Sequence, residues 1–525
     1  MRRVIIIGAG LAGLSAAIEL AKVNIGSALI SLQPSERAQS VLAEGGINAA
    51  LDRMGEGDSV AEHCADTLRG GCDLAEPRAV AELTAHAPAL VRGLCDLGVP
   101  FQMEGERLVQ RNFGGQKKKR TVYAKSSTGK AVMTALIDET RKYEAAGLVR
   151  RYPHHALSGL CVASGRCEGA LVRDTYTDQA LRFSGPVILA CGGLNGLFPG
   201  RTTGTTQNTG DAAALAFSCG VLFGNLEMLQ YHPTTVAIPG KRLLVSEAAR
   251  GEGGRLFTVT AGGRTYFLEE KYPELGNLMP RDVISREMAQ LEGQVYLDLT
   301  GLSRATWTRK LPDLRAELRH YLDLDPAKLP VPVSPGIHFF MGGILVDRGH
   351  RTSLENLFAA GECACQYHGA NRLGGNSLLA ALYGGSVAAR SAAASAGGGG
   401  DGEPERAGHA PGEKDTPGFS ARLGEILSGG LGILRDAGTL EHACSALDGL
   451  SAAQWTEAER RRLALGRAMV LSALARRESR GAHTRTDFPG RDDGAYRKTT
   501  VAVMRGGAIE ISFRPIPEGG EGDAP

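Results

Sequence analysis

The chain has 525 residues, 43% of them apolar, which suits roughly two to four packed domains and excludes a wholly disordered protein. Lys plus Arg (59) nearly balance Asp plus Glu (57), so net charge gives no case for nucleic acid or an acidic membrane as a partner. The ten cysteines are scattered, and the close pairs Cys64/Cys72, Cys161/Cys167 and Cys363/Cys365 lack the spacing of zinc or iron–sulfur ligands; no metal and a reduced, cytoplasmic chain are expected.

In chain order, Val4 to Ile7 reads as a buried parallel strand. Gly8-Ala9-Gly10-Leu11-Ala12-Gly13 follows as a turn, then a helix from about Leu14 to Val23, then a second strand from Ala28 to Leu32. The opening MRRVIIIGAG has too short an apolar run for a signal peptide, and no stretch of about 18 apolar residues predicts a membrane span. Val187 to Ala190 and Leu357 to Ala360 are further strand-like runs ending in Cys191-Gly192-Gly193 and Gly361-Glu362, and Ser377 to Ala394 reads as a helix. The expected fold is α/β: a Rossmann-like nucleotide-binding domain in two parts, 1–225 and 345–395, with an inserted α+β capping domain at 226–344. Residues 396–418 are Gly-, Pro- and charge-rich and read as a flexible linker. A C-terminal helical domain at 419–485 and a polar tail at 486–525, with one strand-like run from Ala508 to Phe513, complete the chain.

Gly8, Gly10 and Gly13 stand where a dinucleotide fingerprint requires them, after an apolar strand and at the opening of a helix. Gly8 permits the tight turn, Gly10 lets backbone approach a pyrophosphate, and Gly13 lets helix and strand pack closely. The helix N-terminus then offers free N–H groups to phosphate. No acid ends the second strand, which weakens a reading as an NAD site and leaves Ser31 to meet the ribose.

Nine ordered segments then carry a resemblance: RAQSVLAEGGIN (37–48), NFGGQKKKRTVYAKSSTGKA (112–131), LQYHPT (229–234), SEAARGEGG (246–254), PRD (280–282), HFFMGG (338–343), GEC (361–363), HGANRLGGNSL (368–378) and RRESRGAH (476–483). Together they resemble the flavoprotein subunit of the succinate dehydrogenase/fumarate reductase family, which also includes L-aspartate oxidase. The likeness runs from residue 1 to about residue 514 and is weakest at 396–465; YFLEEKYPELGNLMPRD and DFPGRDDGAYRKTT are similar to the membrane-anchored, menaquinone-linked branch.

The resemblance implies FAD, held by Gly8, Gly10, Gly13, Ser31, Ser40, Ala43, Gly45, Gly46, Asp211, Glu362, Asn376, Ser377 and Leu378. It also implies carboxylate-binding positions at His232, Ser246, His338 and Arg372, with Phe113 at the loop over the substrate. Arg281 falls at the family's proton-donor position, with Glu247 and Arg250 as the relay behind it. Residue chemistry agrees: a four-carbon diacid needs two cationic clamps, and arginine binds carboxylate with two parallel hydrogen bonds. A single histidine or arginine is more often structural than functional, so the weight rests on six positions agreeing at once. The run QKKKR at 116–120 reads as a solvated face.

Three departures bear on the sub-function. Gln39 stands where many members attach FAD through a histidine, and an amide cannot form that bond, so FAD is expected to be non-covalent. Glu44 stands where fumarate-reducing members often have Glu, and its charge would lower the flavin potential. Phe113 replaces the Glu with which aspartate oxidases hold an ammonium, and an apolar ring cannot do so. The expected activity is fumarate–succinate interconversion, running as a fumarate reductase; L-aspartate oxidase, a succinate dehydrogenase flavoprotein subunit and a non-catalytic flavoprotein are the alternatives. An iron–sulfur subunit and a membrane anchor subunit are the implied partners, with the chain peripheral on the cytoplasmic face of the inner membrane.

Overall fold

Arg3–Ile7 lies at the centre of a five-stranded parallel sheet in the computed structural model, which describes residues 3–125, 127–395, 403–410, 412 and 415–517. The strand order is Leu357–Ala359, Val187–Leu189, Arg3–Ile7, Gly26–Ser31, Val149–Pro153. The central strand is apolar on both faces because both are covered. Val4 and Ile6 pack with Leu14 and Ile18 of helix Leu11–Lys22, while Ile5 and Ile7 pack with Val172 and Phe183 of an antiparallel sheet on the other side. Helix Asn376–Ser395 lies against Leu11–Lys22 so closely that a Cβ at Gly385 would strike the Ala12 carbonyl.

The second antiparallel sheet has the order Glu405–His409, Gln179–Ser184, Arg166–Asp174, His155–Ala163. Its first strand is a correction to the linker expected at 396–418: residues 405–409 pair with Gln179–Ser184, where an open sheet edge offers hydrogen bonds even to a polar segment. Residues 396–402 of that stretch lie outside the described residues.

The inserted segment forms a six-stranded antiparallel sheet, in the order Lys241–Leu244, Leu229–Ile238, Val331–Phe340, Val295–Asp298, Arg255–Thr260, Gly263–Thr265. Helices Arg281–Ala289 and Pro312–Leu322 accompany it, and Leu256, Leu297, Trp307, Leu314 and Leu318 fill its own core. Phe113, from the other domain, is buried in that same core.

Helices Phe419–Gly430, Ala437–Ser451 and Glu457–Ala475 form the C-terminal cluster; reciprocal capping boxes, Asp436 with Thr439 and Thr456 with Glu459, open the last two. The tail is corrected too: Lys498–Arg505 is a second strand, paired with Ala508–Pro515 and with Phe223–Gly224 of the nucleotide domain. Fully buried Arg476 joins the helices to the start of the inserted segment through Glu227 (Nε to Oε1 2.6 Å) and also meets Glu478 at 2.9 Å. No helix among the described residues is long and apolar enough to cross a membrane.

Candidate active site

One cavity of about 550 Å³ extends from the Gly8–Ala12 turn to the inserted sheet. Its nucleotide end is built from backbone. Gly8 has φ +116°, and a Cβ there would collide with the Ala190 carbonyl; a Cβ at Gly13 would collide with the Gly8 carbonyl, so strand and helix meet only because both are glycine. Gly10 provides no side-chain cap to Leu11–Lys22; among the described residues, Ser40 Oγ takes the Leu11 amide at 3.2 Å. The next amides of that turn are open to an anion.

Gly8, Gly10, Ser31, Ser40, Ala43, Gly45, Gly46, Asp211, Glu362, Ser377 and Leu378 line the cavity. Gly13 and Asn376 do not. The Asn376 side chain is fully engaged in a buried polar cluster: Oδ1 accepts from Asn48 Nδ2 (2.8 Å) and His63 Nε2 (3.0 Å), and Nδ2 donates to Thr67 Oγ1 (2.9 Å). Ser31 faces the cavity, but its hydroxyl donates to the Gln33 carbonyl at 2.7 Å. Gln39 lines the wall, where its Oε1 accepts from the Thr205 amide at 2.6 Å. An elongated cavity, a glycine turn too tight for any Cβ and uncapped helix amides fit FAD.

At the other end His232, Ser246, Glu247, Arg281, His338, Arg372 and Phe113 converge on the same space. Arg281 donates from Nε and Nη2 to Glu247 Oε2, at 2.8 and 2.6 Å. Glu247 Oε1 accepts from the Gly114 amide (2.8 Å) and lies 3.5 Å from Arg250 Nη2. Arg250 stays behind Glu247, off the cavity wall, and donates to the Asn277 carbonyl. The His232 and His338 rings are 5.2 Å apart, and Thr203 Oγ1 braces His338 Nδ1 at 2.7 Å. Arg372 lies with its guanidinium carbon 4.4 Å above the Phe339 ring; it makes no ion pair among the described residues, and its Nε has no hydrogen-bond partner.

Charge in this end is unbalanced. Burial and then Arg281 hold both His232 and His338 well below the usual histidine range, so both are neutral at pH 7. Burial raises the Glu247 carboxyl, but Arg281 and Arg250 overcome it and keep the group below its ordinary value. Burial depresses Arg372 strongly, as expected of a cation lacking a partner. Burial pushes Glu362 up to about 7, and burial with Glu317 pushes Glu44, only half-buried at the cavity wall, up to about 8.

Two side chains beside the site were not singled out in the sequence, although Gln230 stands within LQYHPT. Gln230 accepts from Arg281 Nη1 (3.1 Å), and Arg111 donates to the Glu44 carbonyl (3.3 Å) and to the Gly45 carbonyl while stacking on Tyr123 at 4.1 Å and Phe113 at 5.2 Å. Both depend on contacts between segments far apart in the chain.

Residues 3–378 match the family model described as FAD binding domain, and residues 458–518 match that described as fumarate reductase flavoprotein C-term. The succinate dehydrogenase flavoprotein subunit of Bacillus subtilis (strain 168) is 36% identical over 95% of this chain and 93% of its own. The fumarate reductase flavoprotein subunit of Mycobacterium tuberculosis (strain H37Rv) is 33% identical over 98% of this chain and 97% of its own. Among solved structures, a mutant FrdA of E. coli quinol fumarate reductase superposes with TM-score 0.88 at 29% identity, covering 98% of this chain and 97% of that one.

Proposed function

Since this chain belongs to the succinate dehydrogenase/fumarate reductase flavoprotein family and is an FAD-dependent oxidoreductase, we propose that it reduces fumarate to succinate with dissociable FAD. The observation that carries this reading is the charge of the cage. Three guanidiniums, Arg250, Arg281 and Arg372, face one firmly ionised carboxylate, Glu247, and the uncompensated cations call for an anionic ligand.

Reduced FAD, when bound, supplies the hydride. Arg372, with His232, His338 and Ser246, grips the two carboxylates of the substrate and holds its double bond in one orientation. Arg281 has five N–H groups, of which three are held by Glu247 and Gln230; the others remain for the substrate, and one delivers a proton to the carbon beside the one that takes the hydride. Arginine is a poor acid, so the proton leaves as the hydride arrives, and Glu247 with Arg250 restores it. Hydride plus proton converts fumarate to succinate.

Gln39 supports non-covalent FAD, because its amide has no ring nitrogen to alkylate and already holds Thr205. Phe113, 1% exposed, supports a diacid over L-aspartate, since an ammonium beside it would be unpaired. For electron supply we assign an iron–sulfur subunit, joined through a membrane anchor subunit at the cytoplasmic face. An anaerobic assay of dye-reduced enzyme against fumarate, run beside succinate oxidation and, in the presence of oxygen, L-aspartate oxidation, tests the reading. Fumarate reduction should be the fastest of the three, with no peroxide from L-aspartate; efficient peroxide release would transfer the chain to the aspartate oxidases.

A further inference from the structure

Gln230 is fully buried at the start of strand Leu229–Ile238 and touches both catalytic guanidinium segments. Its Oε1 accepts from Arg281 Nη1 at 3.1 Å. Its Nε2 donates to the Arg372 backbone carbonyl and to Asn371 Oδ1, both at 2.8 Å. Asn371 Nδ2 in turn donates to Asp282 Oδ1 at 2.9 Å, and Asp282 follows Arg281 in the first turn of helix Arg281–Ala289. The contacts form a closed ring, Arg281–Gln230–Asn371–Asp282, that ties the inserted domain to the turn carrying Arg372.

The direction of each amide in this ring is forced by chemistry. A backbone carbonyl only accepts, so the Arg372 carbonyl requires Nε2 of Gln230 to face it, and Oε1 must then face Arg281. The Asp282 carboxylate likewise requires the NH2 of Asn371, which turns Asn371 Oδ1 toward Gln230. Reversing either amide would set oxygen against oxygen in a buried site, where an unmet polar group is costly.

We propose that Gln230 is a positioning residue for this reaction: it fixes the rotation of the Arg281 guanidinium relative to Arg372, so that the N–H groups held by neither Glu247 nor Gln230 point at the bound diacid. This rests on the reading of Arg281 as proton donor. A change of about 1 Å in such a group is enough to cost a large part of the rate.

The test is a double-mutant cycle in the FAD-loaded full chain, Gln230→Leu with Arg281→Lys, read by anaerobic fumarate reduction with a reduced dye. Q230L is expected to lower kcat about tenfold or more with KM moving less, while Q230L/R281K runs no slower than R281K within about twofold. Losses that multiply, or a native kcat in Q230L, would overturn the proposal. Gln230→Glu guards against a simple packing defect: it preserves volume and the acceptor for Arg281 but turns an oxygen on the Arg372 carbonyl, so it should be as slow as Q230L, and native turnover refutes the role. If R281K itself runs at the native rate, the proton-donor reading fails instead. Gln230 is then judged by malonate, a non-reacting diacid followed through the flavin spectrum: binding weakened in Q230L supports positioning, and native affinity defeats it.

Discussion

Arg281 holds Glu247 by a single carboxylate oxygen: Nε and Nη2 both reach Oε2, at 2.8 and 2.6 Å, while Oε1 takes the Gly114 amide at 2.8 Å. The carboxylate is thus clamped on both sides, and its removal has two separable effects. Glu247→Gln leaves Arg281 and Arg250 buried without a counter-charge, a change that costs about 3–5 kcal/mol when one partner of a buried pair is removed. Denaturant unfolding at neutral pH should show that loss, and fumarate turnover should fall with it.

The same clamp predicts how stability responds to acid. Arg281 and Arg250, against burial, hold the Glu247 carboxyl below its ordinary value, so the unfolded chain takes up a proton first as pH falls. Glu247 therefore stabilises the fold above its unfolded pKa of about 4.3, and this contribution disappears as pH drops through the lower folded value. Melting temperatures followed from pH 7 to pH 3 should fall less steeply in Glu247→Gln than in the native chain.

Arg281→Ala should keep FAD and lose catalysis. Arg281 touches Glu247 and Gln230 and makes none of the described contacts with the glycine turn, so cofactor content should stay near native. A positioned proton donor contributes about 10²–10⁴-fold, and fumarate turnover should fall on that scale. Flavin absorbance of the purified variant and its anaerobic rate check the two halves separately.

Glu44 acts in the opposite sense to Glu247. Burial and Glu317 push its carboxyl up to about 8, so between the unfolded value and about 8 the folded chain retains a proton that the unfolded chain has lost. Folding is therefore progressively disfavoured as pH rises through that window. Glu44→Gln should remove this slope, making the variant relatively more stable than native at pH 8 to 9, and the flavin potential should lose its inflection near the same pH.

Gln39 sets the fate of the flavin in acid. With Oε1 on the Thr205 amide and no nucleophilic nitrogen, it leaves FAD held only by contacts that denaturation destroys. Trichloroacetic acid should send the yellow colour into the supernatant; a yellow pellet would show a covalent bond at some other residue.

How much of this could be read from the chain alone varies with distance along it. Gly8, Gly10 and Gly13 were legible because the turn, the phosphate approach and the helix packing lie within six residues. His232, Glu247, Arg281, His338 and Arg372 were legible as a set because each lies in a distinctive local segment. Arg111 was not, and Gln230, though it shares the segment LQYHPT with His232, was not singled out, since their contacts are with partners such as Gly45 and Asn371 brought near only by folding. Asn376 shows the converse: it sits beside cavity-lining Ser377, yet its side chain turns to Asn48 and His63. Lys498–Arg505 escaped because KTTVAVMR shows only a weak polar–apolar alternation, and its partner strand decides the matter.

The ion pair between Glu227 and Arg476 has a further consequence for how the molecule comes apart. Glu227 opens the inserted segment and Arg476 follows the helical cluster, and the strand Lys498–Arg505 adds main-chain hydrogen bonds to Phe223–Gly224 just ahead of Glu227. The C-terminal part cannot melt while the other stays intact without stranding the buried Glu227 carboxylate. Heating should give one calorimetric transition for both, and a backbone severed between residues 395 and 403 should leave two polypeptides that migrate together on a native gel until they denature together.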